Sequence, residues 1–149
     1  MRLKRLAPLL AAAVVGCGGS GGATPAPSPS ARPATIPGGT YVTVDTAADF
    51  RAGGVYGPDW ERTTTFTMRV RDGRWELTQQ PDYPDAGKGG GPFDLDADVV
   101  TFRETRAGGL PPQTARWSYF QGRLSFEALD VSDAGLRVIL TAHPWRKVR

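Results

Sequence analysis

From Gly38 onward, apolar residues recur at every second position in short segments, and turn-forming residues break these segments at close, fairly regular intervals. A period of two marks strands with one dry and one wet face. It predicts strands over 40–45, 63–71, 74–80, 92–96, 99–105, 115–121, 123–130 and 136–142. Phe66, Met68 and Val70 alternate with Thr65, Thr67, Arg69 and Arg71, and Trp75 and Leu77 with Glu76 and Thr78. The same parity sets Val100 and Phe102, Leu124 and Phe126, and Val138 and Leu140 on the dry side, and leaves Phe120 and Ile139 on otherwise polar faces. Asp72-Gly73 is the clearest hairpin turn, because both central positions of a type I′ turn need positive φ, and Gln121-Gly122 is a weaker instance. One short helix is predicted after the first strand, where Thr46 caps the chain, Asp49 bonds back to it, and Gly53-Gly54 ends it.

Strands joined mostly by short hairpins are best satisfied by an up-and-down meander of about eight strands that closes on itself, since closure removes exposed edges. The fold class is therefore all-β. A two-sheet sandwich competes but needs longer crossovers than most of these gaps provide.

The first 37 residues do not belong to this pattern. Arg2, Lys4 and Arg5 precede the apolar run Leu6–Val15, and small residues follow, which is the three-part layout of a secretory signal over 1–16. A run of about ten apolar residues is too short to span a bilayer. It ends in Val14-Val15-Gly16-Cys17, which resembles the bacterial lipobox. That resemblance implies a diacylglyceryl group on the sulfur of Cys17, cleavage before it, and an anchor in the cell membrane on the extracytoplasmic face. Residues 18–37 are almost wholly Gly, Ser, Ala, Thr and Pro and cannot bury enough surface to offset their ordering entropy, so they are expected to tether a domain spanning 38–149.

This division changes the meaning of the charge. Of 18 Lys and Arg, three lie in the signal, which leaves 15 cations against 15 Asp and Glu. The mature chain is neutral overall, and no Lys/Arg-dense stretch survives to release counterions from phosphates, so nucleic acid is set aside as a partner. Cys17 is the one cysteine, which excludes an intrachain disulfide and a thiolate metal cluster.

The segments Thr65–Trp75, Phe93–Phe102, Trp117–Leu124 and His143–Lys147 together resemble a group of exported actinobacterial domains of lipocalin-like type. The resemblance covers roughly residues 38–148. It implies a barrel able to take small ligands, and it supplies no catalytic residue. This chain has Asp96-Ala97-Asp98 where the group tends to have Asp-Gly-Asp, and alanine disfavours positive φ, so a turn of another type is expected there.

The chemistry-bearing residues do not assemble into a reaction, and the chain is expected not to be an enzyme. His143 is the single histidine, no serine sits in a nucleophile-elbow setting, and carboxylate spacing alone selects no acid–base pair. Asp94, Asp96 and Asp98 alternate like calcium ligands, but Val99 and Thr105 occupy the positions where an EF-hand needs Gly and Glu. No metal or cofactor is expected. The candidates for a ligand pocket are Trp60, Phe66, Met68, Trp75, Phe93, Phe102, Trp117, Tyr119 and Phe126. They offer aromatic surface to a small apolar or amphipathic molecule, or else fill the barrel as plain core. Loops over 53–61 and 81–91 are candidates for the barrel mouth, the second as a glycine-rich lid. Trp145 and Arg146, directly after the last predicted strand, are expected to plug one end. The competing reading is a solid barrel whose outer surface meets an envelope protein.

Overall fold

The computed structural model describes residues 33–81, 88–106 and 108–148. Eight strands pair consecutively and antiparallel, and the last closes on the first. They are β1 (Gly39–Asp45), β2 (Thr64–Arg71), β3 (Arg74–Gln80), β4 (Gly89–Asp96), β5 (Val99–Phe102), β6 (Gln113–Phe120), β7 (Arg123–Asp130) and β8 (Trp145–Val148). The protein is a closed, up-and-down antiparallel barrel. Among the described residues, two helices, α1 (Ala47–Ala52) and α2 (Ala134–Thr141), and a 3-10 turn at Pro58–Trp60 accompany it.

The parity of the sequence carries into the barrel. Along β2, Thr64, Phe66, Met68 and Val70 are buried, and in register with them on β3 so are Gln79, Leu77 and Trp75. The hairpins at Asp72-Gly73 and Gln121-Gly122 have positive φ at both central residues, as the type I′ assignment requires. Ala97 also adopts positive φ, at 52°. The alanine is held in the left-handed region although its Cβ disfavours it.

Packing begins slightly before the composition changes. Ile36 is buried against the core, and the Tyr41 hydroxyl donates a hydrogen bond to the Pro37 carbonyl. The last residues of the Pro-rich segment thus belong to the barrel.

α1 forms where it is predicted. The Thr46 hydroxyl accepts from the Asp49 amide, and the Asp49 carboxylate accepts from the Thr46 amide at 2.7 Å, a complete capping box.

The segment 136–142, predicted as the last strand, is instead the helix α2. Leu136, Val138 and Leu140 satisfy a period of two, but Leu136, Ile139 and Leu140 equally satisfy the i, i+3, i+4 spacing of a helix face. The start signal decides between them: the Asp133 carboxylate accepts the Leu136 amide at 2.6 Å and nucleates the turn. Ile139, assigned by strand parity to the outside, is consequently buried.

The eighth strand is supplied by Trp145–Val148, so Trp145 and Arg146 are strand residues and not an appended plug. Trp145 is fully buried inside the barrel, opposite Leu124, while Arg146 points outward and is exposed. β8 is short: it pairs with β7 only at Arg123 and Leu124, and with β1 only from Thr40 to Val42. α2 packs against both β7 and β1, covering the part of the barrel wall that β8 does not reach.

Candidate functional site

The antiparallel order assigns each connection to an end of the barrel. The tight turns at 72–73, 97–98 and 121–122 close one end. At the other emerge α1 and the 3-10 turn, the chain between β3 and β4, the segment 103–112 and the approach to α2. The loop 53–61 and the described ends of the segment 81–91 therefore lie at the same end. The glycine-rich segment contributes to this end as strand: Gly89, Gly90 and Gly91 belong to β4 and pair with Leu77, Glu76 and Trp75. A Cβ on Gly89 would stand 3.0 Å from the Trp75 ring, and one on Gly91 would stand 2.0 Å from the Arg103 carbonyl oxygen. Crowding accounts for these glycines without a lid. Residues 82–87, the rest of the predicted lid, lie outside the described residues.

At this end lies a cavity of about 390 Å³. Its apolar wall is Trp60, Trp75, Leu77, Leu110, Leu136 and Ile139, and Lys88, Glu104, Arg106 and Asp133 add charge. Trp60 is positioned by tilted stacking on Phe50, 4.6 Å between centroids, and by Gly135, where a Cβ would meet the indole at 3.3 Å. The Trp75 indole donates to the Arg103 carbonyl at 3.4 Å. Two of the acids are occupied by backbone: Glu104 accepts from the Leu110 amide at 3.0 Å, and Asp133 caps α2. The rim is thereby fixed in shape.

Of the nine residues the sequence nominates for a pocket, the structure brings two to this cavity, Trp60 and Trp75. Phe66, Met68, Phe102, Trp117 and Phe126 are buried core, and Phe93 and Tyr119 pack half-buried against it. Beneath the cavity, Trp75 meets Phe102 edge-on at 5.2 Å, and Phe102 meets Phe126 at 5.6 Å and Phe93 at 6.4 Å. Of these rings only Trp75 lines the cavity, and the others pack in the core behind it. The sequence did not nominate Leu77, Leu110, Leu136 or Ile139. The last two became visible only once α2 was recognised as a helix, for which the Asp133 cap was the available signal.

A second grouping, polar, joins β1, α1 and the connector between α2 and β8. Asp45 is fully buried at the end of β1, and Asp49 Oδ2 lies 3.2 Å from His143 Nε2. One ligating atom from each of Asp45, Asp49 and His143 falls within 4.8 Å of the others. Burial pushes the Asp45 carboxyl up to about 7; the nearby His143 opposes this and Asp49 adds to it. The Asp49 carboxyl is held below the usual range, chiefly by its hydrogen bonds to Thr46 and then by His143. The aspartate alternation named from the sequence has a different setting: Asp94 pairs with Arg103 at 2.7 Å and Asp98 with Arg116 at 3.1 Å, all four at the surface or half-buried.

No protein-family model, curated protein or solved structure matches the chain. The functional reading consequently rests on the geometry of the barrel and on the sequence before it.

Proposed function

We propose that the protein is a membrane-tethered lipoprotein whose barrel captures a small amphipathic molecule at its open end. The observation that carries the ligand is the cavity, whose apolar wall, with Trp60 and Trp75 in it, is bounded by charged side chains. Its volume lies within the range of small-molecule sites, near the lower end. An apolar body resting on Trp60, Leu136 and Ile139, with a polar head among Arg106 and its neighbours, uses both kinds of lining. A ligand burying about 200 Å² of apolar surface gains about 5 kcal/mol before association costs. Apolar burial alone therefore gives at best sub-millimolar binding, and tighter capture depends on the contacts of the polar head.

Location follows from the lipobox at Cys17. Two or more acyl chains, each buried methylene contributing roughly 0.8 kcal/mol, hold a protein on a bilayer stably where one chain does not. Residues 18–32 then link the anchor to the barrel. No covalent or proton-transfer step is assigned to the site.

Titration of the full chain in detergent with the amphipathic fluorophore anilinonaphthalene sulfonate tests the ligand reading. Saturable binding is expected, and Leu110→Trp, which fills the cavity from its half-buried rim, should weaken it at least tenfold at unchanged melting temperature. Equal binding by both proteins would reject the mouth as the site. Replacement of Cys17 by Ser tests the anchor: the variant should leave the membrane fraction, and its retention there would reject lipidation.

A second reading, docking of an envelope protein on the barrel exterior, draws support from Phe120, which stands 64 % exposed at the end of β6. It also draws on the filled lower interior. Loss of a co-purifying protein on Phe120→Ser, with fluorophore binding intact, would favour it.

A further inference from the structure

We propose that Asp45, Asp49 and His143 form a binding site for a divalent transition cation. The three side chains come from separate parts of the fold and converge so that a carboxylate oxygen, a second carboxylate oxygen and an imidazole nitrogen lie within 4.8 Å of one another. Bonds near 2.1 Å make polyhedron edges of about 3.0–3.4 Å; Asp49 and His143, at 3.2 Å, already stand at that distance, and side-chain rotation has to bring Asp45 in to it. Two hard oxygens with one imidazole suit Zn²⁺, Co²⁺ or Mn²⁺; calcium requires more oxygen donors than the trio supplies.

Asp45 gives the independent reason to expect a ligand. Its side chain is 0 % exposed, and neither carboxylate oxygen has a hydrogen-bond partner among the described residues. A buried carboxyl in that condition carries a desolvation penalty that is normally met by a hydrogen bond, a counter-charge or a metal. The adjoining groups are organised to complete a metal site. Thr46 directs both its amide and its hydroxyl to Asp49 Oδ2, each at 2.7 Å, which fixes that carboxylate in the manner of an outer-shell partner. His143 is 46 % exposed at its side chain, so the remaining coordination positions open to water on that side. Two ionised carboxylates, a neutral imidazole and a divalent cation sum to no net charge.

Bound metal also has a structural consequence. It would clamp the end of β1, the first turn of α1 and the connector that leads α2 into β8, which is the part of the wall where β8 leaves β1 unpaired beyond Val42.

The test uses the full chain in detergent, stripped with a chelator and dialysed. Zn²⁺ titrated by calorimetry should bind with one equivalent per chain, Co²⁺ should give a saturable visible absorption band, and Zn²⁺ should raise the melting temperature. Asp45→Asn and His143→Gln should each weaken Zn²⁺ binding at least tenfold. His143 is exposed, so its variant should melt like the wild type in chelator and reports on the ligand role even if the Asp45 variant does not fold. Non-saturable or substoichiometric Zn²⁺ binding by the wild type, or undiminished binding by His143→Gln, would overturn the proposal.

Discussion

His143 Nε2 lies 3.2 Å from Asp49 Oδ2, so the connector before the last strand is joined to the first turn of α1 across nearly a hundred residues of sequence. Asp45 completes this corner, and its carboxyl and that of Asp49 are shifted in opposite senses. For Asp45, whose carboxyl is raised to about 7 by burial, the folded state keeps a proton that the unfolded chain sheds near pH 4. Stability from this group is fully present below pH 4 and is lost as pH rises toward and through 7. Asp49 behaves the other way: its lowered carboxyl adds stability above the unfolded value and loses it on acidification below about pH 4. In the presence of a chelator, urea unfolding should therefore show stability falling between pH 5 and pH 8 by up to a few kcal/mol. Asp45→Asn should flatten that window. A wild-type profile that rises over the same range would contradict the assignment.

Trp145 and Arg146 are adjacent in sequence and opposite in consequence. Trp145 fills the barrel interior at 0 % exposure, and Arg146 stands outside on the same strand. Trp145→Ala should cost about 3–5 kcal/mol, the usual range for emptying an aromatic core position. Arg146→Ala should stay within about 0.5 kcal/mol. Chemical denaturation of the two variants checks the pair of values, and equal effects would mean that the strand is not inserted as described.

Ala97 occupies a turn position with φ of 52°, where a Cβ costs roughly 1–2 kcal/mol. Glycine removes that strain but gains freedom in the unfolded chain, which offsets about half of it. Ala97→Gly should stabilise the protein by about 0.5–1 kcal/mol, read as an increase in the urea midpoint. A decrease would show that the turn relaxes without strain.

Much of the barrel was legible because its strands have one face against the core. Where a half-buried strand runs for seven or eight residues, as from Thr64 to Arg71, parity alone assigns every side chain, and a one-residue slip would put Phe66 and Met68 in water. The Thr46–Asp49 capping box was legible for a similar reason, being a local hydrogen-bond exchange written in four consecutive residues. α2 was not, because Leu136–Thr141 is short enough for a period of two and a period near 3.6 to fit the same residues. That one ambiguity displaced the eighth strand onto Trp145–Val148 and concealed Leu136 and Ile139 from the cavity. The meeting of Asp45 and Asp49 with His143 depends on closure of the barrel, which no local pattern encodes. Aromatic residues nominated for a pocket divided between cavity and core for a physical reason: the inner face is the same for both, and only depth along the barrel distinguishes Trp75 from Phe102 or Trp117.

The central claim is that the open end of this barrel holds a small molecule. It is tested most directly by native mass spectrometry of the full chain extracted from its own membrane in mild detergent. The expected spectrum is an acylated chain carrying one small-molecule adduct, with the adduct lost and the acyl mass kept in Leu110→Trp. A wild-type chain without any adduct, which also fails to take up anilinonaphthalene sulfonate, would contradict it.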